Sequence, residues 1–171
     1  LEDGPDGPAA TIRAVQQGAG PDALLSLDVG AHRITASHTW QCTRPRTVLQ
    51  SNGLSSMGTG LPGAIAAKLC FPERPAIALT GDAGLWMSLG ELGVVQDRGM
   101  DLVVVYLADD ALSLIQLKQE RIGLADRGVR FTNPDVCQLA GAFGGVGRKV
   151  RGAGAVQEAV AAAVAAGGLW V

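Results

Sequence analysis

Along the chain, short unbroken apolar runs alternate with stretches whose apolar positions recur every three or four residues. Short runs bounded by Gly, Pro or Asp predict strands buried on both faces, and the second kind predicts helices packed by one face. "ALLSLDVG" gives a strand over Leu24 to Val29, "AIALT" one over 76–80 between Pro75 and Gly81, and "LVVVYL" at 102–107 the clearest of the three. Helices are predicted over 9–18, through "HRITASH" up to Trp40, and in "LPGAIAAKLCF", where Pro62 fits a first turn. Residues 86–98 place Trp86, Leu89, Leu92 and Val95 at helical spacing. "ALSLIQLKQER" follows as a helix, then "NPDVCQLAGAF" with Asn133 as its cap and Pro134 in its first position. A short strand is expected at Arg148 to Val150, before the alanine-rich helix "AVQEAVAAAVAA".

Strands alternating with helices in this way predict an α/β fold: a doubly wound, mainly parallel sheet with helices on both faces, in a single domain. Residues 1–23 read as a leading segment and 24–171 as the domain. The chain of 171 residues is long enough to bury a core, and 47% hydrophobic against 18% charged residues suits strands covered on both faces. It begins "LEDGPDGPAA" and stops on "GGLWV", the opening of a strand, so it reads as a domain excised from a longer protein.

Charge and cysteine content remove several function classes. A net charge of −2 without a Lys/Arg cluster offers nothing to a nucleic-acid backbone. The apolar run from Leu102 to Ala108 is far too short to span a bilayer, so no membrane is expected. Cys42, Cys70 and Cys137 are odd in number and widely spaced, which suggests neither a disulfide framework nor a zinc site and fits a reducing cytoplasm.

The chemistry concentrates where two strands run out. "ALTGDAGLW" places Asp82 directly after one apolar strand, and "VVVYLADDALSL" places Asp109 and Asp110 after the next. Ligands of parallel sheets bind beyond the carboxyl ends of the strands, so both acids face one crevice if the strands are neighbours. Two hard oxygen ligands beside helix amino ends suit a magnesium ion on a diphosphate, with Gly81 and Gly84 allowing close backbone approach. Helix capping by Asp82 and Asp110 explains the same spacing, and spacing alone leaves both readings open. Neither a Walker loop nor a G-x-G-x-x-G turn after a strand is present, and "GGVG" at 144–147 follows a helix as a connection. His32, His38 and Glu91 read as structural or exposed.

"GDAG" followed by "VVVYLADDALSLI" resembles the thiamine diphosphate signature, a Gly-Asp-Gly start with an Asn-rich end some two dozen residues on. "LDVGAHR" and "QSNGLSSMGTGLPGAIAAKL" resemble the segments that open the carboxyl-terminal cofactor domain of acetolactate synthase-like enzymes, and the likeness runs from Leu24 to Val171. The resemblance implies that Asp82 and Asp109 ligate Mg2+, with Ala111 joining through its carbonyl. It further implies that Gly81, Ala83 and Gly84 lie against the diphosphate of thiamine diphosphate. Met57 would support the bent cofactor from below, with the Ser55 carbonyl and Met57 amide facing its aminopyrimidine. Two positions depart from the pattern: Ala83 stands where a third glycine is usual, which requires a negative φ, and Asp109 where asparagine is commoner.

The parent enzyme implied by this resemblance decarboxylates or carboligates small 2-keto acids as a homo-oligomer. Its activating glutamate comes from a pyrimidine-binding domain of a neighbouring subunit. Glu73, Glu91, Glu120 and Glu158 lie in no segment matching that role, so the fragment alone is expected to be inactive. A benzoylformate decarboxylase-like parent and a non-catalytic binder of another phosphate ligand are the alternative readings.

Overall fold

The computed structural model describes residues 4–171. Five strands form one sheet in the order β2-β1-β3-β4-β5, every neighbouring pair parallel. They are β1 (Leu24–Leu27), β2 (Val48–Gln50), β3 (Ala76–Gly81), β4 (Leu102–Leu107) and β5 (Leu169–Trp170). The helices are α1 (Pro8–Ala19), α2 (Ala31–Thr39), α3 (Gly60–Cys70), α4 (Asp82–Ser88), α5 (Leu92–Asp97), α6 (Ser113–Arg121), α7 (Val136–Ala142) and α8 (Ala153–Ala166), with a 3-10 turn over Leu89–Glu91. Among the described residues no helix is long and apolar enough to cross a membrane.

Successive side chains of a strand point to opposite faces, and this divides the core in two. Leu25, Leu27, Ile77, Leu79 and Val103 pack on one side with α1 and α8, whereas Ala76, Ala78, Leu102 and Val104 pack on the other with α3, α4 and α5. The doubly wound α/β architecture expected from the alternating pattern is therefore present, and all of its strand pairs are parallel. Within the residues read as a leading segment, α1 is packed as a layer of the domain: Ile12 and Val15 are 0% exposed. It meets α8 so closely that a Cβ on Gly18 would lie 2.5 Å from the Gln157 carbonyl oxygen.

Several boundaries differ from expectation. The helix predicted over 86–98 starts earlier, at Asp82, and passes through the 3-10 turn before α5, where Gly90 and Gly93 weaken regular helix. The strand expected at Arg148 to Val150 does not form. The backbone instead meets β5 at Val146, through a parallel bridge to Trp170, and Arg148 N–H bonds the Val171 carbonyl at 2.8 Å. Asn133 does not cap α7; Asp135 does, accepting from Cys137 N at 2.9 Å and Gln138 N at 3.2 Å. β2 forms where no element was predicted, since a three-residue edge strand has too little pattern to announce itself.

Candidate functional site

β3 and β4 lie side by side, with Gly81 in register with Leu107, so their following turns leave the same end of the sheet together. Asp82 is 2% exposed. Its Oδ2 accepts hydrogen bonds from Asp109 N at 3.1 Å and Ala111 N at 3.3 Å, while its buried Oδ1 has no hydrogen-bond partner among the described residues. Asp109 Oδ1 accepts from Ala111 N at 3.3 Å, and its Oδ2 accepts from the Ser113 hydroxyl. The three residues expected to ligate a metal are thus brought together, although on different elements.

Two neighbouring carboxylates disfavour each other's charge, which raises the pKa of one of them. Burial pushes the Asp82 carboxyl up, but the polar groups of Tyr106 and Asn133 and the Asp109 amide outweigh it and hold Asp82 below the usual carboxylate value. Asp109 is raised, by burial first and also by Asp82, against the Ser113 hydroxyl. The neighbouring Tyr106 hydroxyl is buried beside Asp82, with no well-aligned hydrogen bond among the described residues, and burial together with Asp82 keeps its proton on.

The Asp109 turn is held from outside. Asp110 has a left-handed φ of 56°, uncommon for a residue with a Cβ. The segment 129–131 straps across it, with Leu112 N bonding Val129 O at 2.8 Å and Phe131 N bonding Asp110 O at 3.1 Å. None of these bonds uses the Ala111 carbonyl. Asp110 does not cap α6, whose N-cap is Leu112 without a side-chain bond; its carboxylate accepts from Asn133 Nδ2 at 2.6 Å. Asn133 Oδ1 in turn accepts from Trp86 Nε1 at 2.7 Å, and the Trp86 ring stands edge-on to Tyr106 at 6.0 Å.

The loop holding Ser55 and Met57 reaches the same region from β2. Asp28, 0% exposed at the end of β1, accepts from Gly58 N at 2.9 Å and from the Thr80 hydroxyl at 3.1 Å. Gly58 has a φ of 82°, and a Cβ there would lie 3.0 Å from Met87 Cβ of α4. Ser55, also left-handed at 51°, accepts from Arg33 Nη1 at 3.4 Å. Gly84 is a glycine for a reason the pattern did not reveal: a Cβ would come within 2.4 Å of Asp28 Oδ2. Ala83 meets its condition, lying in the first turn of α4 and outside the residues of positive φ.

His32, read as structural or exposed, is half-buried with its Nε2 enclosed and unpartnered, beside the place a Gly81 Cβ would occupy at 3.3 Å. Burial lowers its pKa against the pull of Asp28, which favours the neutral ring. Residues 28–171 match the family described as thiamine pyrophosphate enzyme, C-terminal TPP binding domain.

The chain belongs to this family. Thiamine pyrophosphate is thiamine diphosphate, the cofactor implied by the motifs. Pyruvate oxidase of Lactiplantibacillus plantarum is 35% identical over 144 residues, covering 82% of this chain and 24% of that protein. The acetolactate synthase isozyme 3 large subunit of Escherichia coli is 31% identical over 145 residues, covering 84% and 25%. The E. coli isozyme 2 large subunit is 33% identical over 126 residues, covering 72% and 23%. The chain spans about a quarter of the length of the curated relatives it matches.

For a thiamine pyrophosphate-binding domain the residues present fit the diphosphate end of the cofactor. The buried Asp82 Oδ1 has no hydrogen-bond partner among the described residues, which is costly unless a cation or donor completes it. No side chain caps the first-turn amides of α4, which leaves them available to an anion. Among the described residues no three His, Cys, Asp or Glu side chains cluster as a metal site. The side-chain oxygens that a cation beside Asp82 Oδ1 would meet are those of two carboxylates, Asp82 and Asp109, donors that suit a hard ion retaining water. A cleft of about 910 Å³ runs beside β4 and α8; Asp110 and Asn133 line it, but Asp82 and Asp109 do not, so the chemistry lies at its margin.

Asp28, Thr80, Trp86, Tyr106 and Asn133 escaped the sequence reading as site residues. For Asp28 a signal existed, since a lone acid following the apolar run "ALLSL" parallels Asp82 after "AIALT". Asn133 had none, because its partners are fixed only by the folded strap.

Proposed function

We propose that this domain holds Mg2+ and the diphosphate of thiamine diphosphate within a longer enzyme that decarboxylates or carboligates a small 2-keto acid, in the manner of acetolactate synthase. The observation carrying the proposal is the buried carboxylate of Asp82, one oxygen bound to the Asp109 turn and the other without a partner. Asp82, Asp109 and the Ala111 carbonyl hold the metal, while Gly81, Ala83 and Gly84 present backbone to the diphosphate. Ser55 and Met57, on the loop tied down by Asp28, meet the aminopyrimidine side. When bound, the cofactor supplies the electron sink for cleaving or forming the bond beside the keto group. The chain's own residues anchor and orient it.

The names of the relatives, acetolactate synthases and a pyruvate oxidase, favour pyruvate or a close homologue as the donor acid. Glu73, Glu91, Glu120 and Glu158 lie in no segment matching the activating glutamate, so catalysis needs the pyrimidine-binding domain of the parent, and the chain alone is inactive. Leu54 at 93% and Met87 at 64% exposed leave apolar surface near the cofactor loop for that domain or a second subunit of a homo-oligomer. Unpaired Cys42, Cys70 and Cys137 accord with a reducing cytoplasm.

Calorimetric titration of thiamine diphosphate into the chain, with Mg2+ and then with a chelator, tests this. The expected result is binding that requires Mg2+ and is lost in Asp82→Ala. Binding that ignores both the chelator and the substitution would refute the assignment of Asp82.

A further inference from the structure

The two halves of the candidate metal site sit on separate segments: Asp82 on α4, Asp109 and Ala111 on the turn after β4. Their own contact is two hydrogen bonds longer than 3 Å to a single oxygen, Asp82 Oδ2. Shorter bonds join the same two segments through a third. Trp86, one turn along α4 from Asp82, donates from Nε1 to Asn133 Oδ1 at 2.7 Å, and Asn133 Nδ2 donates to Asp110 Oδ1 at 2.6 Å. Asp110 is the residue between Asp109 and Ala111, and its φ of 56° sets the direction in which both neighbours point.

We infer that Asn133 is a positioning residue for the metal turn, holding Asp110 left-handed and so keeping Asp109 and Ala111 against Asp82. The inference rests on the metal-diphosphate reading above. It does not require Asn133 to touch metal or cofactor.

The carboxamide is the side chain this position demands. An indole N–H can only donate and an ionised carboxylate can only accept, so the bridging group needs an acceptor on one side and a donor on the other, and the two partners fix which way the amide faces. Aspartate would still accept from Trp86 but would set a second negative charge against Asp110. Leucine has similar bulk and makes neither bond. The strap carrying Asn133 is itself anchored to the turn through Phe131 N to Asp110 O and the bridge between Ala111 and Arg130, so Asn133 is delivered to Asp110 by backbone pairing. The Trp86 ring against Tyr106 fixes the other end.

The test uses the 171-residue chain. Thiamine diphosphate binding is measured by calorimetry across a Mg2+ series, and the indole N–H signals of Trp40, Trp86 and Trp170 are followed by NMR. In the wild-type chain the Trp86 signal should move on adding Mg2+ with the cofactor, while Trp40 and Trp170 stay in place. Asn133→Leu and Asn133→Asp should each raise the Mg2+ needed for half-maximal binding at least tenfold, with unchanged circular dichroism.

The double variant Asn133→Asp with Asp110→Asn exchanges donor and acceptor across the same bond and should recover most of that loss. Asparagine also tolerates the left-handed conformation at 110. If Asn133→Leu fails to fold, the aspartate and exchange variants decide the matter alone. Wild-type Mg2+ dependence in Asn133→Asp, or no recovery in the exchange, overturns the role of Asn133. In that case loss of binding in Asp82→Ala leaves the metal reading standing. Absence of any Mg2+-dependent binding by the wild-type chain defeats both.

Discussion

The buried carboxylate of Asp28 accepts a hydrogen bond from the amide of Gly58 at 2.9 Å, joining the end of β1 to the loop that carries Ser55 and Met57. The same carboxylate accepts from Val29 N and the Thr80 hydroxyl, so one side chain ties β1, β3 and that loop together. A carboxylate with several donors suits this place, because hydrogen bonds to charged acceptors are stronger than neutral ones.

Replacing Asp28 by alanine should cost about 1–3 kcal/mol, the range for leaving buried donors without an acceptor. Urea denaturation measures the loss. Hydrogen exchange at Gly58 should accelerate beyond the global change, because its amide loses the Asp28 carboxylate.

Gly84→Ala should destabilise the domain, since the new methyl group meets Asp28 Oδ2 at 2.4 Å and the Thr80 hydroxyl at 2.9 Å. Overpacking of this kind costs about 1–3 kcal/mol. Gly93→Ala is the contrast: its Cβ meets nothing within 4 Å, and in α5 it should add about 0.5–1 kcal/mol. Thermal denaturation of the two variants should move the midpoint in opposite directions. Equal behaviour would contradict the close approach of Asp28.

Ile12→Ala should lower stability by about 2–5 kcal/mol, as for other fully buried aliphatic residues. A change near zero in urea denaturation would show α1 to be an appendage and not part of the core.

Asp109 carries a raised pKa, so its contribution to stability is present below the unfolded value of 3.8 and is lost as pH rises through the folded value. At neutral pH without metal, the ionised pair Asp82 and Asp109 is repulsive. Asp109→Asn should therefore melt higher than wild type at pH 7, and the difference should shrink as pH falls through the Asp109 titration toward 4. Added Mg2+ should stabilise wild type more than the variant. A pH-independent difference in calorimetric melting would contradict the electrostatic origin.

Much of this molecule is legible in one dimension. "AIALT" and "LVVVYL" are strands because residues buried on both faces must all be apolar, and this requirement survives any change of neighbour. Asp82 and Asp109 stood out because an acid at the end of such a run lies at the ligand-binding edge of a parallel sheet. Asn133 did not, since "NPD" describes a helix cap equally well from Asn133 or Asp135, and only the fold shows Asp135 capping α7 while Asn133 turns to Asp110 and Trp86. Gly84 was legible as a glycine of consequence, but its contact with Asp28 was not: the carboxylate that excludes a Cβ follows a strand more than fifty residues earlier, as the span of the Thr80 bond to Asp28 illustrates.

The alternation of strands and helices, the parallel sheet, and the acids and glycines at its carboxyl edge follow from local pattern, because burial and backbone conformation act segment by segment. The tertiary structure alone decided that Asp82 holds the Asp109 turn through one oxygen and leaves the other without a partner, that Asp28 pins the Met57 loop, and that Asn133 bridges Trp86 and Asp110. Those are hydrogen bonds between segments far apart in the chain. Their geometry depends on how the sheet twists and the straps close, which no local pattern encodes.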